Sequence, residues 1–304
     1  MAYASFAELL TAARAAGSLG RAALDRELAE SDTTEAEARA RMHEALDVMR
    51  SSVAEGLAGN AVARSGLVGG DARRVAHSDA GPLGGDFSRS LAAALAVAEV
   101  NASMGRVVAA PTGGASGVLP AVLLVIGERS GADDDALVDS LFAAAGVGGV
   151  IAARASLSGA AHGCQAEIGA AAAMAAAAAV QLLGGTPDQA EHGASLALQG
   201  LLGLVCDPVG GLVQVPCVVR NATGVSVALA GAELALAGVE FPIPFDEVVD
   251  ALSHVGRSLP PSLRETARGG LAATPTGQRL GRHAREPRDQ TAESFAAGGT
   301  HGSN

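Results

Sequence analysis

The chain reads as an all-α protein, a compact multi-helix domain with loops rich in Gly and Pro. Three observations predict this. Apolar residues recur at helical spacing from Phe6 onward, cap and breaker residues punctuate those runs, and no stretch alternates with a period of two. Apolar residues make up 49% of 304 positions while aromatics are only 2% and Trp is absent. A core of that composition needs helices that approach closely across Ala and Gly, since few large rings are available to fill gaps. No internal repeat is visible.

Phe6, Leu9, Leu10 and Ala13 define a first amphipathic helix ending near Gly17, and a second covers about 21–30. Asp32-Thr33-Thr34-Glu35 supplies an N-cap for a longer helix to about Leu57, with Met42, Leu46, Met49 and Val53 on one face. Residues 65–85 are rich in Gly and charge without periodicity and predict a loop, either linker or lid. A helix over about 87–102 leads through Arg106–Ala110 to Pro111-Thr112-Gly113-Gly114-Ala115-Ser116-Gly117, ahead of a helix over about 119–127. Asp134 to about Ala145 predicts a helix, Gly146–Gly149 a break, and Val150–Ser156 a short helix or strand. Further helices are expected at about 165–183, 186–204, 223–237 and 245–256. Beyond Leu280 the chain is polar and aperiodic, so the domain is placed at 1–280 and a disordered tail at 281–304.

The three cysteines lie in SGAAHGCQAEIG (Cys164), GLVCDPVGG (Cys206) and VQVPCVVRN (Cys217). Cys206 follows Cys164 by 42 positions and Cys217 follows Cys206 by 11, which matches neither a zinc ribbon nor a bacterial ferredoxin run. Each neighbours Gly or Pro, where the backbone can bend and come close to a bound group. A free cysteine is often simply a small buried hydrophobe. Three soft thiolates without a fourth also suit a 4Fe-4S cluster with one iron lacking a protein ligand, able to act as a Lewis acid.

Composition removes other classes. A formal charge of −11 argues against nucleic acid and anionic membrane as partners. All 21 basic residues are arginine, so no lysine is present to hold pyridoxal phosphate as a Schiff base, and that cofactor is not expected. The N-terminus shows no secretory pattern, and the Ala-rich run Ile168–Leu183 reads as a buried helix rather than a membrane span. Unpaired thiols fit a reducing, cytoplasmic setting.

CQAEIG, CDPVGG and VPCVVRNA, with VNASMGRVVAAPTGGASGVLPA (Val100–Ala121) upstream and LRETARGGLAATPTG (Leu263–Gly277) downstream, resemble the alpha subunit of the iron–sulfur-dependent L-serine dehydratases. The resemblance covers nearly the whole chain up to about Leu280. It implies Cys164, Cys206 and Cys217 as ligands of one cluster, and elimination of water from L-serine to give pyruvate and ammonia. For binding the small amino-acid substrate, Arg220 and Asn221 are the first candidates and Asn101, Thr112 and Ser116 the second; the hydroxyls of Thr112 and Ser116 beside a helix N-terminus suit a carboxylate. His162 is a weak candidate for the Cα base or a fourth ligand. The resemblance also implies a separate beta subunit, against the competing expectation of a homo-oligomer working alone. Two other readings stay open, a related cluster-dependent lyase acting on threonine or cysteine and a non-enzymatic helical protein with a structural Cys3His zinc site.

Overall fold

The computed structural model describes residues 3–78, 81, 82 and 84–284. Among them the regular structure is helical, with no strand and only two isolated bridges, Val62 with Gly69 and Cys206 with Arg264. The helices are α1 (Phe6–Ala16), α2 (Leu19–Glu30), α3 (Glu35–Leu57), α4 (Asp71–Ala76), α5 (Gly85–Ala102), α6 (Val118–Ser130) and α7 (Asp134–Arg154). They continue as α8 (Gly159–His162), α9 (Ile168–Leu182), α10 (Pro187–Gln199), α11 (Cys217–Leu236), α12 (Phe245–Ser258) and α13 (Pro275–His283).

Local chemistry sets most of the boundaries. Ser5 and Ser18 accept from the N–H groups of Glu8 and Arg21 and so cap α1 and α2. Thr34 with Glu37, and Thr186 with Gln189, close reciprocal capping boxes at α3 and α10. Gly17, at φ 92°, ends α1 in the left-handed conformation that glycine adopts without strain.

The centre of the bundle is α9, in which every residue from Ile168 to Val180 is buried. Helices α6, α7, α10 and α11 surround it, so an apolar surface all round is what its position requires. Helix α7 is long and apolar enough to cross a membrane, but here it packs on α2 and α9 inside the bundle.

Three stretches depart from expectation. Helix α7 runs unbroken through Gly146–Gly149. A Cβ at Gly146 would stand 3.2 Å from Ala23 Cβ, and one at Gly148 would stand 3.0 Å from Met174 Sδ. These glycines give up helix propensity to let α2 and α9 approach, so they mark contacts rather than a break. Helix α11 begins at Cys217, six positions before the expected start at Thr223, and α10 ends at Gln199 rather than near Leu204. Residues 65–85 are not a plain loop: Ala63, Val68 and Ala72 are buried with Leu95, Ala96, Ala98 and Val218, and Asp71–Ala76 forms α4. Of the expected tail, 281–283 belong to α13, and 285–304 lie outside the described residues.

A three-thiol candidate metal centre

Sequence puts the three cysteines at element boundaries, and packing gathers those boundaries at one end of the bundle. Cys164 opens a short 3-10 turn (Cys164–Ala166) that feeds α9, and Cys217 is the first residue of α11. Cys206 lies after α10, where its N–H donates to Leu263 O at 2.9 Å and its carbonyl accepts from Glu265 N at 2.7 Å. All three thiols are free and buried. Helices α6, α9 and α11 all start in this region, where hydrogen bonds of Asn221 and Glu167 tie the Gly-rich turn before α6 to the heads of α11 and α9.

Burial is the main force on the thiols. It pushes Cys164 up to about 11, with Arg220 pulling the other way. It pushes Cys217 up to about 12, reinforced by the charge of Cys164. Cys206 is raised too, by burial and then by Cys164, Glu167, Glu265 and Cys217. Three thiols that repel one another's charge, with two carboxylates added, are a donor set that ionises only around a cationic partner. Among the described residues no three His, Cys, Asp or Glu side chains are arranged to hold a single metal ion. A zinc ion needs four donors converging on one point, whereas a polynuclear cluster meets each cysteine at a different iron. The donor set therefore fits a cluster, and it offers no Cys3His zinc site.

His162 ends α8, two positions before Cys164. Its ring packs on α12, where a Cβ at Gly256 would collide with it, and its Nδ1 is buried without a hydrogen-bond partner. Burial lowers its pKa, and the charges of Arg257 and Arg264 lower it further.

Of the expected substrate contacts, Asn221 is fully buried and its amide is engaged by backbone. Oδ1 accepts from Gly117 N at 2.9 Å, and Nδ2 donates to Gly114 O at 2.8 Å and Cys217 O at 3.0 Å. Asn221 thus stitches the Gly-rich turn to the start of α11. Arg220 donates through Nη1 to Val205 O at 2.9 Å and places Nη2 2.8 Å from Asp207 Oδ1, while Asp207 Oδ2 accepts from Leu271 N at 2.7 Å. That chain of contacts joins α11, the Cys206 loop and the 270–273 turn. Ser116 is buried and donates to Gly113 O at 2.7 Å. Asn101 lies half-buried beside Gly113, where a Cβ would stand 3.3 Å from its Oδ1. Thr112 faces the centre and donates to Glu167 Oε1 at 2.8 Å.

Glu167 is the residue that sequence reasoning passed over. Its Oε1 is held by Thr112, and the Cys206 thiol lies 3.9 Å from its Oε2. Burial raises its pKa, the Thr112 hydrogen bond opposes that, and Glu265 adds to it. A signal was available, since Glu167 is the one charged residue at the head of the apolar run from Ile168 to Val180. Glu265 and Ala267, both at positive φ (62° and 55°), show that the LRETARGG segment is held in a strained path beside Cys206.

In this all-helical domain three buried free thiols and the carboxylate of Glu167 come together near the starts of α9 and α11. The comparisons narrow this. Residues 7–272 match the family described as serine dehydratase alpha chain, and the chain belongs to that family. It is 46% identical over 262 residues to an L-serine dehydratase alpha chain of Peptoniphilus asaccharolyticus, covering 85% of this chain and 90% of that one. It is 47% identical to a probable L-serine dehydratase alpha chain of Bacillus subtilis, over 77% of this chain and 79% of the relative. An L-serine dehydratase of Streptomyces coelicolor is 40% identical over 87% of this chain, but only 59% of that longer protein is covered.

Proposed function

We propose that this chain is the catalytic alpha subunit of a cytoplasmic L-serine dehydratase that eliminates water from L-serine and releases pyruvate and ammonia. The observation that carries the reading is the meeting of Cys164, Cys206 and Cys217 with Glu167 and Thr112 at the starts of α6, α9 and α11. In this reading the three thiolates hold a 4Fe-4S cluster, and no pyridoxal phosphate takes part because the chain has no lysine. When bound, the cluster supplies a Lewis acid that helps hydroxide leave.

The protein's own part is to bind, orient and exclude water. Three helix starts offer positive potential to a substrate carboxylate, with Thr112 on the same rim. Asn221 holds the Gly-rich turn in place, and Arg220 with Asp207 holds the Cys206 loop against α11. The 61–76 segment covers α5 and α11 through Val218, next to Cys217.

We also propose a separate beta subunit as partner. Two relatives matched nearly end to end are named alpha chains, and the longer S. coelicolor relative carries sequence that this chain does not cover. Anaerobic reconstitution with iron and sulfide, followed by a pyruvate assay on L-serine, tests the reading. Cluster uptake without any pyruvate, with or without the companion subunit, would overturn it.

A further inference from the structure

Helices α2, α3 and α7 leave between them a cavity of about 400 Å³, and none of the residues lining it belongs to the thiol centre. Its floor is apolar, made by Ala23 of α2, Ala38 and Met42 of α3, and Phe142 and Gly146 of α7. Small side chains at Ala23, Ala38 and Gly146 keep the volume open, where close-packed interiors leave few voids larger than a water molecule. Ala38 and Phe142 are buried, so the floor offers apolar surface that a ligand can cover. Met42 is half-buried and unbranched, and its thioether can adjust to side chains of different shape. The size falls within the range that takes a small metabolite.

The charges on the rim differ in how far they are already committed. Arg26 pairs with Glu30 at 2.6 Å and lies over the Tyr3 ring at 5.3 Å. Arg41 donates to Thr33 Oγ1 at 2.7 Å and to the carbonyl of Glu37 at 3.4 Å, but it forms no ion pair with a carboxylate among the described residues. Glu37, which feels the charge of Arg41, is turned to Thr34 in the capping box. Glu27 lines the cavity from α2 and has no basic partner among the described residues. Both Glu27 and Arg41 are long, exposed side chains that can close on a ligand. An apolar floor flanked by one uncommitted anion and one uncommitted cation is the complement of an α-amino acid whose side chain is apolar.

We propose that this cavity binds an α-amino acid with an apolar side chain, of the leucine, methionine or phenylalanine kind, at a site separate from the thiol centre. Glu27 receives the α-ammonium group, Arg41 receives the carboxylate, and the side chain lies on Phe142 and Met42. Serine is a poor fit, since its hydroxymethyl group would cover little of the floor and bring a hydroxyl to apolar surface. The site stands apart from the serine dehydratase reading and does not depend on it.

Titration calorimetry on the full-length chain, purified anaerobically, tests this with L-leucine, L-methionine and L-phenylalanine. At least one should bind with a Kd of about 1 mM or tighter, and L-alanine should bind at least about tenfold more weakly. For the tightest of the three, the matching carboxylic acid without the amine and the matching amine without the carboxylate should each bind at least about threefold more weakly. Those comparisons need no variant. Glu27→Gln should weaken the amino acid at least about threefold and leave the deaminated acid unchanged, while Arg41→Gln should weaken the amino acid and leave the amine unchanged. Ala145→Phe, at an exposed position of α7 that lines the cavity, should fill it and remove binding. Absence of binding by all three amino acids would overturn the inference. So would binding of the deaminated acid as tight as that of its amino acid, or affinities unchanged by all three substitutions.

Discussion

Replacing Asn221 with Ala separates a brace from a substrate contact. The side chain is fully buried and makes three hydrogen bonds of 2.8–3.0 Å to Gly117, Gly114 and Cys217. Truncation leaves the Cys217 carbonyl with its helical partner but strands Gly117 N–H and Gly114 C=O. Each stranded group costs about 1–3 kcal/mol, so the loss should be about 2–6 kcal/mol. A domain commonly has only about 5–15 kcal/mol in hand. At about 2–4 °C per kcal/mol, a loss near the middle of that range lowers Tm by about 8–16 °C. Asn221→Asp should do no better than Ala, because it keeps the bond from Gly117 but sets a carboxylate oxygen against two carbonyls. Thermal and urea unfolding of the cluster-free chain measure this without any assay of turnover. A Tm within about 2 °C of wild type, a change of 1 kcal/mol or less, combined with a raised KM for L-serine, would refute the brace and restore Asn221 as a substrate ligand.

Other perturbations have equally definite outcomes. Cys206→Ala should abolish the broad visible absorbance of the reconstituted protein and its pyruvate production together, and retention of either would contradict the ligand assignment. The isolated alpha chain, cluster intact, should turn over L-serine far more slowly than with its companion, and equal rates would remove the partner from the mechanism. Gly159→Ala drives a methyl into Glu167 and toward Cys206, so it should cost about 1–3 kcal/mol and impair cluster uptake. Uptake and stability matching wild type would show that the glycine is dispensable. Glu99 is fully buried on α5, accepts from Asp71 N at 2.6 Å and Ala72 N at 3.3 Å, and burial raises its pKa. Above the ordinary Glu value the folded state holds a proton that the unfolded state has released, so stability should fall as pH rises from about 4.3 through the raised folded value. Glu99→Gln should flatten that part of the curve in urea titrations, and an unchanged slope would assign it to another group.

Wherever one turn of chain contains the whole signal, the sequence is decisive. Ser5, Thr34 and Thr186 each cap N–H groups within three residues, and Gly17 ends α1 by its own backbone freedom, so those helices were legible. The all-α class followed from the same periodicity. The cysteine motifs were legible too, because their residue types and their order carry the resemblance without any geometry.

Only packing could decide the rest. Gly146 and Gly148 look like breakers until Ala23 and Met174 are seen pressing on them from helices far away in sequence. The 65–85 stretch lacks periodicity of its own because its apolar residues are spent on α5 and α11. Asn221 and Arg220 look ready for a ligand, yet their partners lie at Gly114, Gly117, Val205 and Asp207, brought up by folding. Glu167 went unnoticed for the converse reason. Hydrogen-bonding capacity is local, but whether it is already used depends on which distant backbone groups arrive, and only the tertiary structure brings Thr112, Cys206 and Glu167 together.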